Sequence, residues 1–517
     1  MVSLRPRDFP QTKLTEILDG EYLTGLYGSG DDTKDTTPVE AYVMYREYYD
    51  GDHDTKLTER AASFLETDPL QEFNVNACPI VVDAKAERLA VTAFDAGEDS
   101  EQVWEWWQAN RMDAQQGIVH TAAIRDGDSY VIAEWDNEEN RPRWSFELAS
   151  DGTEGVKVHY SQERRGKIEF ASKRWKVKWG PGGGKAMRIN LYFPDHVEKY
   201  ISTEGAEKTS WLPFFADADS EQGEPGEDGR PFLRDGHLGQ TAWSWWTDTG
   251  QEGGKPLGVS VVHFKNLDQG YDQGKSELKD VIPLQNALNK VAIDLVVETD
   301  VSAFRILTMI GADPSDLEIY PGGWVWSENP DVEIGALPAG NVQEMIQVKD
   351  SFFMDIARVT RTPISYFQVT GQRPSDQTLK QEESGLVARV NKAQLDFGNV
   401  WEDLVRMSMR LHNAFASDAE PMDDKQSIRT VWNDPETRNR LMHLQSLVLE
   451  RDLGVDTETI WENMSYDADK RKTFRKALVR DRSLGIRSQS ILPTANGGQN
   501  GNEGDAAARG GQRIRAP

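Results

Sequence analysis

The sequence predicts an α+β fold, and three observations carry the prediction. Residues 140–270 alternate strands with turn residues, whereas the half beginning near Ser276 repeats apolar residues at helical spacing. An apolar fraction of 38% and sixteen tryptophans can fill a sizeable core in a chain of 517 residues.

The elements follow in order. Residues 1–70 are polar and acidic and read as helical in pieces. Val81, Val82, Ala84, Lys85, Leu89 and Val91 are spaced to bury one face of a helix. Residues 103–125 read as one helix carrying Trp104, Trp106 and Trp107. The turn Asp126-Gly127-Asp128 then leads into a strand from Ser129 to Trp135. From Lys173 to Phe193 the pattern is a hairpin. Trp175, Val177 and Trp179 alternate with Arg174, Lys176 and Lys178, and after GPGGGK the residues Met187, Ile189, Leu191 and Phe193 alternate with polar ones. That pattern predicts one buried face and one wet face.

Leu278, Val281, Ile282, Leu288, Val291 and Leu295 mark a helix from about 276. A turn-rich segment over 305–340 holds Trp324 and Trp326. Asn341, with Glu344 three residues on, reads as an N-cap opening a helix that Pro363 ends. Asp376 to Asn413 is the longest periodic stretch, about 55 Å if straight, and Gly385 and Gly398 weaken its interior. Asp434 and Pro435 are placed to cap and open a further helix. A basic helix covers 468–484, and from Pro493 the chain is Gly-, Asn- and Ala-rich, the composition of a disordered tail.

Charge and motif content narrow the function. Fifty-eight Lys and Arg stand against 86 Asp and Glu, a net charge of −28. Such a surface does not wrap nucleic acid by overall neutralisation, although a local basic contact remains open. Residues 163–188 carry nine basic residues and two acids, and residues 470–487 carry eight and one. The first set falls on the hairpin's wet face. The second is either a solvated helix face or a contact surface. The lone Cys78 sits among apolar residues before Pro79 and reads as a buried structural thiol. No apolar run reaches the roughly 20 residues of a spanning helix, and the start MVSLRPRDFPQTK lacks a signal-peptide core.

No zinc-binding, nucleophile-elbow or kinase pattern is present. GPGGGKA at 180–186 is one residue short of a phosphate loop, and Ala186 stands where the magnesium-binding hydroxyl belongs. The acidic run 217–228 has six carboxylates, but Gln222 replaces the glycine a calcium loop needs. No catalytic residue, cofactor site or metal site is therefore assigned, and the chain reads as a non-enzyme.

Four stretches, taken together, resemble one family. Asn76-Ala77-Cys78-Pro79-Ile80-Val81-Val82-Asp83-Ala84-Lys85-Ala86-Glu87-Arg88-Leu89 is the first, followed by Asp126-Gly127-Asp128-Ser129-Tyr130-Val131. Phe264, Asn266, Gly274, Ser276-Glu277-Leu278, Ile282, Pro283, Leu284-Gln285, Leu288 and Asn289-Lys290 form the third. Thr362-Pro363, Ser375, Trp401 and then Val431-Trp432-Asn433-Asp434-Pro435-Glu436-Thr437-Arg438 complete the order, with Arg361 where glycine is common. The run, from about 70 to 465, resembles the portal proteins of long-tailed bacteriophages, in the branch found with Gram-positive and actinobacterial hosts.

That resemblance implies a portal-type subunit with helix-rich wing, two-helix stem, small α/β clip and helical crown. It divides the chain into a wing at 1–275 with a β-rich segment at 129–265, a first stem helix at 276–304, and a clip at 305–340. A second stem helix at 341–363 follows, then a tunnel loop and long wing helix at 364–413, a crown at 414–490, and a disordered tail at 491–517. It further implies a homo-oligomeric ring, typically of twelve subunits, at one vertex of the virion capsid. The ring is assembled in the host cytoplasm, without a membrane, as a channel for double-stranded DNA packaging and ejection. The partners implied are the terminase large subunit, the major capsid protein and head–tail adaptor proteins.

In the tunnel loop, Gly371, Gln372, Arg373 and Pro374 would face DNA. In the clip, Trp324 and Trp326 would either meet partners or pack between neighbouring clips. A duplex carries a charge about every 1.7 Å, so acidic walls would keep it from sticking; acidic surfaces also serve solubility alone. The alternatives are a nucleotide-hydrolysing packaging enzyme, which a hydrolysis assay would reveal, and another structural capsid or connector ring protein.

Overall fold

The computed structural model describes residues 38–53, 75–161, 163–164, 166–179, 184–194, 196–202, 211–213, 243–244, 256–303, 307–310, 333–336, 342–367, 376–416, 420–436, 447–464, 466 and 468–483. The expectations for residues 1–37, the Asn341 cap, the acidic run 217–228 and the tail from Pro493 lie outside these residues. The chain divides into two units, Met1–Ala468 and Asp469–Pro517.

The first unit begins with helix α1 (Pro38–Asp50) and helix α2 (Cys78–Ala86). Strand β1 (Val91–Asp95) comes next, then helices α3 (Ser100–Ala109) and α4 (Met112–Asp126). Strands β2 (Asp128–Asp136), β3 (Arg141–Leu148) and β10 (Val261–Lys265) form one antiparallel sheet with β2 in the middle. Strands β4 (Gly155–Tyr160), β5 (Ile168–Trp179), β6 (Gly184–Tyr192), β7 (His196–Ser202) and β8 (Trp211–Pro213) form a second, with β9 (Trp243–Ser244) paired to β7. Helix α5 (Ile282–Ala303), strands β11 (Leu307–Ile310) and β12 (Glu333–Ala336), and helix α6 (Val342–Thr360) follow. Helix α7 (Asp376–Phe415), strand β13 (Arg429–Trp432) and helix α8 (Thr457–Asn463) close the unit. Helix α9 (Ala468–Ser483) is the described part of the second. Both helices and antiparallel sheets are present, so the α+β reading holds.

The core of the first unit is built on α7. Leu386, Val390, Ala393, Phe397, Trp401 and Leu404 recur every three or four residues, and all are buried. They pack on β2 and β10. Trp107, with no exposed surface, stacks 5.9 Å from Trp104 and meets Trp401 edge-on at 5.0 Å. Such pairs add about 0.5–1.5 kcal/mol each beyond the area they bury. Helix α7 runs unbroken through Gly385 and Gly398. A Cβ at Gly398 would come within 3.2 Å of Trp432 Nε1, so glycine lets β13 lie close against the helix.

Several elements end elsewhere than expected. The helix of residues 81–91 stops at Ala86, because Val91 is drawn into a β1–β13 ladder opposite Trp432. All six residues expected on its buried face are nevertheless buried. The single helix of 103–125 is two, broken at Arg111, which sits at φ 55°. There the Asn110 side chain donates to Trp106 O and Pro142 O and accepts from the Trp144 N–H, tying the helix end to β3. Helix α5 starts at Ile282 rather than 276. Glu277 N donates to Ile124 O and Ser276 Oγ to Arg125 O, which pins residues 276–281 to the end of α4 as turns. At Asp434 a turn is closed by the Glu436 N–H, and Pro435, expected to open a helix, is not helical; residues 437–446 lie outside the described residues.

The hairpin departs from expectation in register. Trp175 lies opposite Arg188, and Val177 opposite Ala186, so the tryptophan stripe shares its face with Arg188, Asn190 and Tyr192. Met187, Ile189 and Leu191 point to the other face. A one-residue offset exchanges faces in a sheet, and the turn between the strands sets that offset. Neither face is simply wet: Asn190 and Tyr192 are buried, while Trp175 takes cations from Lys173 at 5.3 Å and Arg188 at 4.9 Å.

Candidate functional site

The family-like motifs converge on one buried polar hub. Helix α2 delivers Lys85, the end of β10 delivers Asn266, the turns before α5 deliver Glu277, and α7 delivers Arg389. Lys85 Nζ donates to Asn266 Oδ1 at 2.6 Å and pairs with Glu277 Oε1 at 3.0 Å; Arg389 pairs with the other Glu277 oxygen. Asn266 also holds Lys275 at both its backbone and side chain. Burial alone would raise the Glu277 carboxyl, but Lys85 and Arg389 together hold it below the usual range. Lys85 is pushed down, first by burial, against the pull of Glu277 and with Arg389 adding to the fall. Two cations thus share one carboxylate.

Beside the hub the chain crosses itself closely. A Cβ at Gly274 would lie 2.2 Å from Gly127 O, a separation no side chain can occupy, and Gly127 itself has φ +99°. The close approach delivers the Gly274 N–H to Asp128 Oδ1 at 2.7 Å. Asp128 accepts two further bonds, from Tyr42 Oη and from His263 Nε2, each at 2.7 Å. With Nε2 donating, His263 Nδ1 accepts from Tyr160 Oη at 2.9 Å. Asp126 is gripped by Arg46 and Arg125. The Asp-Gly-Asp turn therefore joins α1, α4, β2 and β10.

The root of α5 is held in the same manner. Gln285 accepts from the Ala77 N–H and donates to Val75 O, and Asn289 donates to His53 Nδ1 at 2.6 Å. Cys78 lies here with no exposed surface, its thiol pushed up to about 12 by burial. At the core His120 donates from Nδ1 to Leu89 O and accepts from Trp401 Nε1 at 3.0 Å; burial pushes its pKa down to about 4.

The residues assigned to the tunnel loop, Gly371, Gln372, Arg373 and Pro374, and to the clip surface, Trp324 and Trp326, lie outside the described residues. Their flanks are described. Around the tryptophans, β11 and β12 pair from Leu307↔Ala336 to Ile310↔Glu333. One side chain bridges the loop's flanks: Arg88 donates to Tyr366 Oη at 3.0 Å and to Glu383 Oε1 within α7 at 3.2 Å, and its other nitrogen reaches Pro435 O at 2.7 Å. Sequence reasoning placed Arg88 in a motif without a role, because these partners stand 278 to 347 residues away. Among the described residues no helix is long and apolar enough to cross a membrane.

Residues 32–480 match the family described as phage portal protein, SPP1 Gp6-like. The chain belongs to the phage portal family. Similar proteins include the portal protein of Mycobacterium phage D29, 22% identical over 426 residues that cover 79% of each chain. The portal protein of Mycobacterium phage L5 is 22% identical over 375 residues, 69% of this chain and 68% of that one. The expected family and its actinobacterial-phage branch are both matched, and a portal serves phage DNA packaging at the head–tail connection. The hub joins α2, the end of β10, the turns before α5 and the middle of α7.

Proposed function

We propose that the chain forms a closed ring, of twelve copies in the family's usual form, at one capsid vertex. Double-stranded DNA is packaged and ejected through its axis. The observation that carries this reading is the pair α5 and α6, packed on one another on either side of the β11–β12 ladder. Two helices with a small ladder between them suit a stem at 276–304 and 341–363 and a clip at 305–340. Residues 1–275 then serve as wing, 364–413 as tunnel loop and long wing helix, 414–490 as crown, and 491–517 as tail. Helix α6 leaves Val348 and Val359 about half exposed, apolar surface that a neighbouring copy would cover.

The clip, through Trp324 and Trp326, meets the terminase large subunit during packaging and head–tail adaptor proteins afterwards. The wing meets the major capsid protein. Gly371, Gln372, Arg373 and Pro374 face the DNA. The ring is assembled in the host cytoplasm, resides in the virion and hydrolyses nothing itself; the motor supplies the energy. Negative-stain imaging of purified full-length protein tests the assembly. Rings with a central hole are expected, and monomers or open filaments at every concentration would overturn the reading.

A further inference from the structure

We propose that each chain binds one phosphate-class oxyanion in the cavity between the end of β10, the end of α6 and the middle of α7. The cavity has a volume of about 130 Å³, against the roughly 10–15 Å³ a single water needs. Five of its eleven lining residues are cationic, in a chain whose net charge is −28. Lys85, Lys265, Arg361, Arg389 and Lys392 all line it. Three carboxylates are paired with these cations: Glu277 serves both Lys85 and Arg389, Asp268 serves Lys265 at 3.3 Å, and Asp396 serves Lys392 at 2.6 Å. Arg361 has no ion pair among the described residues. The site therefore carries two positive charges more than negative ones, the complement of a dianion.

The arrangement is built rather than incidental. Lys85, with a side chain 3% exposed, is fixed by Asn266 and Glu277. Arg361 stands at φ 53° at the end of α6, its stem packed over Gly385 of α7. Arg389 and Lys392 lie one turn apart on α7, and with Lys85 of α2, Lys265 of β10 and Arg361 at the end of α6 the cations approach from four separate elements. A guanidinium fork with ammonium groups on other sides matches a tetrahedral oxyanion better than a planar carboxylate. Two cations sharing Glu277 leave buried charge under-compensated, and an added anion relieves it. Free phosphate and a phosphate of the DNA backbone share this chemistry.

The test is calorimetric titration of full-length protein with inorganic phosphate at constant ionic strength, chloride serving as the control anion. Saturable binding near one site per chain is expected in phosphate. In the double variant Arg361→Gln/Lys392→Gln affinity should fall at least tenfold, while Lys392→Arg keeps it. Circular dichroism and melting establish that each variant is folded. Heat indistinguishable from chloride, or equal affinity in wild type and double variant, would overturn the proposal. A short duplex added to the phosphate-loaded protein separates the sources. Competition assigns the site to backbone phosphate, and saturable phosphate binding untouched by duplex assigns it to the free ion.

Discussion

Replacing Glu277 with glutamine removes the one negative charge at the centre of the hub while keeping the side chain's shape. The Glu277 side chain is 4% exposed, and those of Lys85 and Arg389 are 3% and 15% exposed, so water cannot fully take over its role. Breaking a buried pair from one side costs about 3–5 kcal/mol. The unit of Met1–Ala468, at about 2.1 cal/mol/K per residue, unfolds with an entropy of about 1 kcal/mol/K. The expected fall in melting midpoint is therefore about 3–5 °C. Lys275→Gln is the control: its pair with Asp280 is 30% and 54% exposed, so its loss amounts to about 0–1 kcal/mol and about 1 °C at most. Scanning calorimetry at pH 7 reads both. Equal midpoints for the two variants would refute the view that the hub's charge holds α7 in place. The pH dependence supplies a second check. Because Lys85 and Arg389 depress the Glu277 carboxyl, its contribution is complete above its ordinary value of 4.5 and is lost as pH falls below it. The wild-type and Glu277→Gln midpoints should converge in that acid range.

Arg88→Ala should raise amide exchange at 364–367 and 381–385 at least tenfold, the equivalent of about 1.4 kcal/mol, and leave β2 and β10 protected; unchanged exchange at both flanks would remove Arg88 as their tie. His120 is held neutral with its pKa near 4 against an ordinary 6.5, so its contribution is present above 6.5 and lost as pH falls toward 4. His120→Gln should flatten the stability slope across that window, and an undiminished slope would assign the slope to other groups. Arg373→Glu should leave rings intact but impair DNA packaging, whereas Lys176→Glu, on an exposed position of β5, should not; normal packaging by the first, or equal impairment by both, would count against a DNA-facing Arg373. A chain ending at Ile491 should still form rings, as imaging would show, and loss of the rings would give the tail a structural part.

Much of the architecture was legible because it rests on local signals. The period of Leu386 to Leu404 announced α7, and the Asp126-Gly127-Asp128 turn announced the entry to β2. What escaped is set at long range. Leu89 and Val91 fit a helical spacing, yet Val91 joins a strand more than 330 residues away, and nothing near it in sequence says so. Arg111 adopts a left-handed conformation because Asn110 reaches across to β3, a contact with no sequence period. The hairpin's alternation was plain, but alternation is silent on register. At the hub each motif was visible as a string of residues, while the ion pairs joining Lys85, Glu277 and Arg389 span up to 192 residues of separation.

The bond pattern of Arg88 has a mechanical consequence. A guanidinium bonded to both Tyr366 and Glu383 sets the spacing between the turn at 364–367 and helix α7. Because the same side chain also reaches Pro435 O, a load applied to either of those segments is shared with the chain after β13 and with the end of α2 rather than carried by α7 alone.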